Sequence, residues 1–139
     1  MTGIYRHITT TTDEGVLVIL VDLHEVKDYM IAEQLRFEMV HAVQRSQTRQ
    51  YVLDLRNIQF MTSLACVAFI GLKHSVRETE GRLILCEMSE FIRKIFNAKR
   101  LLTPSHTTGS VAFEEAPTLP DALRRFRNDA PPASPSCST

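Results

Sequence analysis

Hydrophobic and polar residues alternate along the chain in two patterns. Nearly continuous apolar runs rich in β-branched residues are typical of strands buried on both faces of a sheet. Apolar residues that recur every three or four positions are typical of amphipathic helices with one face on a core. The runs predict strands at 16–21, 51–55 and 82–87, and the spaced patterns predict helices at 29–44 and 63–79.

Weaker signals complete the series of elements. Strands are predicted at 4–9 and near 110–113, and a last helix at 119–126. Ser89 is the predicted N-cap of a short helix. The inner face of that helix is predicted to consist of Phe91, Ile92, Ile95 and Phe96.

Alternating strands and helices imply parallel strands joined by right-handed helical crossovers. The predicted fold class is therefore α/β, a sandwich built on a central mixed, mostly parallel β-sheet. This sheet would have about four to five strands, with about four helices packed on it. From residue 128 onward the sequence consists mainly of Ala, Pro and Ser, a composition that cannot form a core. We therefore predict one domain over residues 1–127 and a disordered tail over 128–139.

Composition and charge exclude several classes of function. Sixteen basic and sixteen acidic residues give zero net charge, which provides no field for binding nucleic acid directly. Cys66, Cys86 and Cys137 are an odd number without paired spacing, so we expect neither disulfides nor a zinc site, and the histidines show no metal-ligand spacing. Without a glycine-rich phosphate loop we expect no nucleotide cofactor. No signal peptide or membrane span is evident, which favours a cytoplasmic location.

The segment from 52 to 72 carries the most information about function. A strand passes through a short loop into a helix that begins at Thr62 and Ser63. Such hydroxyls can cap a helix for local reasons alone. A phosphate on Ser63 would also be tolerated there, because the first turn of a helix carries unpaired N–H groups and the positive end of the helix dipole. Both readings remain open at this level, and Thr62 is the alternative acceptor.

This segment resembles the signature of STAS domains, the family of bacterial anti-sigma factor antagonists. The order of strands and helices resembles the family from residue 4 to about 127. The motif positions that agree are Asp54, Leu55, Ile58, Phe60, Met61 and Ser63. The family usually has Asp before the serine and Ser or Thr and then Gly after it, whereas this chain has Thr62, Leu64 and Ala65.

The resemblance implies a non-enzymatic, phosphorylation-controlled protein-binding switch. Its partner would be an anti-sigma factor or serine kinase, and a partner kinase would phosphorylate Ser63. The predicted partner-binding residues are Phe60, Met61, Thr62, Ser63, Leu64 and Val67, in an apolar setting to which Cys66 and Phe69 also contribute.

Two alternatives remain open at this level. One is an unphosphorylated STAS scaffold that assembles with itself or with other STAS proteins through Leu64 and the first helical turn. The other is an enzyme built on Cys66, although a thiol among Leu64, Ala65 and Val67 is more typical of a core residue.

Overall fold

The computed structural model describes residues 5–98 and 113–128. The strands are β1 (Ile8–Asp13), β2 (Val16–Val21), β3 (Glu25–Val26), β4 (Gln50–Asp54), β5 (Phe60–Met61), β6 (Arg82–Cys86) and β7 (Glu114–Ala116). The helices are α1 (Tyr29–Arg45), α2 (Cys66–Glu78), α3 (Glu90–Ala98) and α4 (Leu119–Asn128), and a 3₁₀ turn at Ser63–Ala65 leads into α2.

The main sheet has five strands in the order β1-β2-β4-β6-β7. β1 is antiparallel to β2, while the β2–β4, β4–β6 and β6–β7 pairs are all parallel. The β1–β2 hairpin turns at Glu14 and Gly15, both with positive φ, as a two-residue turn of type I′ requires. The predicted α/β class is thereby confirmed: the sheet is mixed and mostly parallel, and the described residues form four α-helices.

The sheet separates two layers of apolar side chains. The larger layer packs α1, α2 and α3 on one face and includes Leu35, Phe69 and Phe96, each fully buried. The smaller layer lies under α4 on the opposite face and includes Val52 and Phe126. Because α4 covers the second face, the central strands are apolar on both sides, which explains their nearly continuous runs.

Three local predictions differ from the structure. The first strand lies at 8–13 rather than 4–9, because its polar threonines occupy an edge strand that exposes four of its six positions. The last strand lies at 114–116 rather than 110–113; of the predicted range only Phe113 lies within the described residues, and it is a buried residue outside the strand. Asn128, predicted to begin the tail, is instead the last residue of α4, and the remainder of that predicted tail lies outside the described residues.

A second, two-stranded sheet was not predicted from the sequence. β3 and β5 pair in parallel, with Glu25 opposite Phe60 and Val26 opposite Met61. Strands of two residues carry no recognisable periodicity. This pair holds the segment that leads from β4 into α2.

Candidate functional site

The loop between β4 and β5 is fixed by hydrogen bonds at its start. Asp54 ends β4 and is almost fully buried, and its carboxylate accepts a bond from the backbone N–H of Arg56 at 3.0 Å. The Arg56 guanidinium lies 2.8 Å from the same carboxylate. Asn57 then donates its side-chain amide to the Val21 carbonyl at 3.2 Å, which ties the loop to the end of β2.

The next residues are held by the β3–β5 pair and by two buried side chains. Ile58 and Met61 are each 1% exposed and anchor the segment in the larger core. The N–H of Thr62 donates to the Val26 carbonyl at 3.1 Å, which extends the β3–β5 pairing by one bond. The backbone is therefore fixed up to the residue where the helical turn begins.

Thr62 and Ser63 have opposite surroundings. Thr62 occupies the N-cap position with extended backbone, but its side chain makes no capping hydrogen bond. Its Oγ1 has less than 1 Å² of accessible surface and no hydrogen-bond partner among the residues that the structure describes. Ser63 is exposed, and nowhere in 5–98 or 113–128 does its hydroxyl find a hydrogen-bond partner. The reading in which Thr62 is simply a helix cap is therefore not supported.

The Ser63 hydroxyl stands at the positive end of a helical segment. The 3₁₀ turn Ser63–Ala65 continues directly into α2, so the first backbone N–H groups lie beside Ser63. No acidic residue occupies the first turn of either element. An anion placed on Ser63 would gain roughly 0.3–1 kcal/mol from the dipole at a surface site.

Exposed apolar residues precede and follow Ser63 in the sequence. Leu64 is 46% exposed and Val67 is 44% exposed, and Ile70 continues the same three-residue spacing along α2. Phe60 stacks on Phe91 of α3 with ring centroids 5.4 Å apart, and both rings are about two-fifths exposed. We call these five residues, Phe60, Leu64, Val67, Ile70 and Phe91, the apolar surface.

A family model, that of the STAS domain, matches residues 7–114. The chain belongs to the STAS domain family. Its relatives include an anti-sigma F factor antagonist of Paenibacillus polymyxa, 26% identical over 84 residues that cover 60% of this chain and 72% of that protein. BtrV of Bordetella bronchiseptica, whose name also refers to anti-sigma factor antagonism, is 27% identical over 114 residues, or 78% of this chain and 96% of that protein.

Solved structures show the same fold. Unphosphorylated SpoIIAA, an anti-sigma factor antagonist, superposes with a TM-score of 0.59 at 19% identity, covering 86% of this chain and 97% of that one. The phosphorylated form of SpoIIAA, from Bacillus, gives the same TM-score at 21% identity, covering 86% of this chain and 99% of that one. The resemblance inferred from the motif is confirmed, and this STAS domain is antagonist-like.

Some predicted partner-binding residues of the STAS domain are not accessible. Met61 is buried and supports the segment from below, so it is not part of the apolar surface. Cys66 and Phe69, predicted to contribute to the apolar setting of Ser63, are buried in the core. Ile70 and Phe91 are exposed instead: Ile70 could have been found from its spacing to Leu64 and Val67, whereas Phe91 was wrongly assigned to the inner face of α3.

The cysteines of the STAS domain that the structure describes are core residues. Cys66 and Cys86 are each at most 2% exposed. Burial raises the pKa of the Cys86 thiol well above its ordinary value, and the nearby Asp54 and Glu87 carboxylates raise it further. A thiol with a raised pKa stays protonated at neutral pH and is a poor nucleophile.

Over 5–98 and 113–128, no group of three or more His, Cys, Asp or Glu side chains is arranged to hold a metal ion. Within the same ranges, no helix has the length and apolar character needed to cross a bilayer.

Proposed function

We propose that this STAS domain is a protein-binding switch controlled by phosphorylation of Ser63. The apolar surface and Ser63 would bind an anti-sigma factor or a related serine kinase, and a phosphate on Ser63 would release that partner. The observation that carries the proposal is the exposed hydroxyl of Ser63, free of hydrogen bonds in the described residues and flanked along the helix by exposed Leu64 and Val67. A kinase can reach this oxygen without disturbing the fold.

The charge change accounts for release of the partner. A phosphate adds about −1.5 to −2 charge at neutral pH, and burying that charge against apolar groups would require its desolvation. Here Thr62 stands where the family usually has an acidic residue, so the helix start carries no charge until it is modified. Phosphorylation then converts an uncharged helix start into a charged one, which is a larger relative change than at a site that already contains a carboxylate.

The fold itself would tolerate the phosphate. The helix dipole and the unpaired N–H groups of the first turn favour an anion at this position. Ser63 is exposed, so the phosphate oxygens remain hydrated in the free protein. The phosphate would therefore weaken the binding of the partner and leave the free energy of unfolding of the domain nearly unchanged.

Ser63 is a better acceptor than Thr62. The Thr62 hydroxyl is enclosed, and a kinase would have to open the segment to reach it. The relatives support the type of control: SpoIIAA has this fold and has been solved in both a phosphorylated and an unphosphorylated form. Phosphopeptide mapping of the protein isolated from its host should find phosphate on Ser63, and Thr62→Val should not remove it. Phosphate on Thr62 alone, or on neither residue under any growth condition, would contradict the proposal.

A charge-mimic experiment tests the release step. The Ser63→Asp variant should lose binding to the serine kinases and anti-sigma factors of the host in pull-down assays, while Ser63→Ala should retain it. Ser89→Asp is the matched control, because Ser89 is exposed and caps α3 by accepting from the Ile92 N–H at 3.2 Å, a role that Asp can also fill. Equal binding by Ser63→Asp and the unmodified protein would refute the switch.

A constitutive scaffold is the second candidate, and the exposed row of Leu64, Val67 and Ile70 favours it. In that case the apolar surface would bind another STAS domain without modification of Ser63. Light scattering of Leu64→Asp against the unmodified chain separates the two. Loss of a self-association by this variant, together with unmodified Ser63 in the host, would favour the scaffold.

We infer further that the domain acts without catalysis, since the enzyme hypothesis required a reactive Cys66 and this thiol is 2% exposed. Rapid alkylation of Cys66 in the folded protein would contradict this inference.

A further inference from the structure

The two edges of the five-stranded sheet differ in their protection against pairing with another chain. β7 has three residues, and its Glu114 and Glu115 form ion pairs with Arg82 and Arg93. Short, charged edge strands resist added strands. β1, at the other edge, has six residues, of which four are threonines, and it contains no proline or basic residue. It therefore lacks the usual features that block edge pairing.

The hairpin register determines which backbone groups of β1 face outward. Asp13 and Val16 flank the two-residue turn, and the residues that close such a turn exchange two backbone hydrogen bonds. Hydrogen-bonded pairs then recur at every second residue along an antiparallel pair. The bond from the Asp22 N–H to the His7 carbonyl, at 2.8 Å, fits this register.

The even-numbered residues of β1 consequently direct their backbone groups away from β2. These residues are Ile8, Thr10 and Thr12. Across the described ranges, no hydrogen bond reaches the N–H or the C=O of any of them. At an open sheet edge such groups form hydrogen bonds with water, which an added strand would replace.

A second copy of β1 fits these groups in one antiparallel register. When Thr10 lies opposite the partner's Thr10, Ile8 lies opposite the partner's Thr12, and every outward N–H meets a C=O. A shift of two residues, which places Thr10 opposite the partner's Thr12, leaves Ile8 opposite the turn rather than a strand residue. The fully paired register is therefore symmetric about Thr10.

The charges flanking β1 favour the same register. It places His7 opposite the partner's Asp13 and Arg6 opposite the partner's Glu14, and each contact occurs twice by symmetry. No acidic residue meets another acidic residue across the pair. Glu14 would exchange its ion pair with Arg127 for the contact with Arg6, and the register that satisfies the backbone places no like charges opposite each other.

A groove borders the strand on the helical face of the sheet. This groove of about 950 Å³ lies between β1 and the end of α1, lined by Thr10 and Thr12 on one side and by Ala42 and Arg45 on the other. None of the described residues that line it carries a carboxylate, and none of them closes the helical face of the sheet at this edge.

We propose that the chain forms a homodimer in which two β1 strands pair antiparallel about Thr10 and join two five-stranded sheets into one. Ser63 and the apolar surface belong to β5, the 3₁₀ turn, α2 and α3, which do not include β1. The proposed dimer therefore does not rest on the proposed switch, and either proposal can fail without the other.

Cysteine crosslinking tests the register. In the full chain with Cys137→Ser, Thr10→Cys would place two thiols on the symmetry axis with Cα atoms about 5.5 Å apart, within disulfide range. Thr12→Cys is the matched control, because Thr12 lies four residues from the partner's Thr12, about 14 Å away. Mild oxidation should give a crosslinked dimer with Thr10→Cys and at least tenfold less with Thr12→Cys on non-reducing gels. Equal crosslinking of both variants, or none with Thr10→Cys, would overturn the proposal.

Analytical ultracentrifugation of the chain with its own three cysteines measures the dimer dissociation constant without any crosslink. Thr12→Pro removes an outward N–H that bonds nothing within the subunit, so it should raise the dimer dissociation constant at least tenfold while circular dichroism stays unchanged. Thr12→Val, which keeps that N–H, and Leu64→Asp, which changes the apolar surface, should both leave the dimer intact. A monomer at all concentrations, or a dimer lost with Leu64→Asp but kept with Thr12→Pro, would refute pairing through β1.

Discussion

Thr62→Val should stabilise the domain, although it removes a polar group from a helix N-cap. The Thr62 hydroxyl has less than 1 Å² of accessible surface and forms no hydrogen bond within the described part of the chain. An enclosed, unsatisfied polar group costs about 1–3 kcal/mol, and valine has the same shape without the hydroxyl. Thr62 as a residue is only partly buried, so we take the lower end of the range. The expected gain in the free energy of unfolding is about 1 kcal/mol.

Urea denaturation followed by circular dichroism measures this gain. A gain of about 1 kcal/mol should raise the midpoint by about 0.5 M urea and the melting temperature by about 3 °C. Thr79→Val is the control, because the Thr79 hydroxyl donates to the Val76 carbonyl at 2.7 Å and its loss should destabilise by about 1 kcal/mol. A lower midpoint for Thr62→Val than for the unmodified protein would refute the reasoning, since it would mean that the hydroxyl is satisfied.

Three further predictions concern close packing and buried side chains. Gly81→Ala should destabilise by about 1–3 kcal/mol in urea denaturation, because a Cβ there would lie 2.7 Å from the backbone carbonyl of Arg49; an unchanged midpoint would mean that the strand end yields freely. Phe69→Ala should cost about 3–5 kcal/mol by the same assay, since the ring is fully buried in the larger core, and a loss below about 1 kcal/mol would contradict that placement. Cys86 should resist iodoacetamide in the folded protein and react in urea, as followed by mass spectrometry. Because burial raises the pKa of the Cys86 thiol in the folded state, the free energy of unfolding should also fall as the pH rises above about 8.5, where the unfolded thiol ionises, and a Cys86→Ala variant should lack this component.

The central strands were predictable because both of their faces are buried. Val16–Val21 and Arg82–Cys86 have almost no polar positions, since helices cover the sheet on either side. β1 was shifted in the prediction because an exposed edge tolerates threonine at nearly every position, which hides the strand pattern. The pattern of β7 was also unclear, because an edge strand can contain charged residues. The carboxylates of Glu114 and Glu115 form ion pairs with Arg82 and Arg93.

The candidate site was predictable in position but not in orientation. The strand, loop and helix order identified Ser63 as a residue at the start of a helical segment. Nothing in the sequence distinguishes its exposed hydroxyl from the enclosed hydroxyl of Thr62, because that difference depends on the β3–β5 pairing across distant segments. Exposure of Phe91 likewise depends on α3 turning that ring toward Phe60 rather than toward the core.

The division of the core by the sheet has a consequence for local opening. α4 rests on the smaller layer alone, where Ala122 and Phe126 are its buried contacts. Detachment of α4 would expose this layer while the layer under α1, α2 and α3 stays closed. Units that open separately exchange their amide hydrogens at different rates. The amides of α4 should therefore exchange with solvent deuterium sooner than those of β4. The domain would then consist of a C-terminal unit that opens by itself and a slower-exchanging remainder that contains Ser63 and the apolar surface.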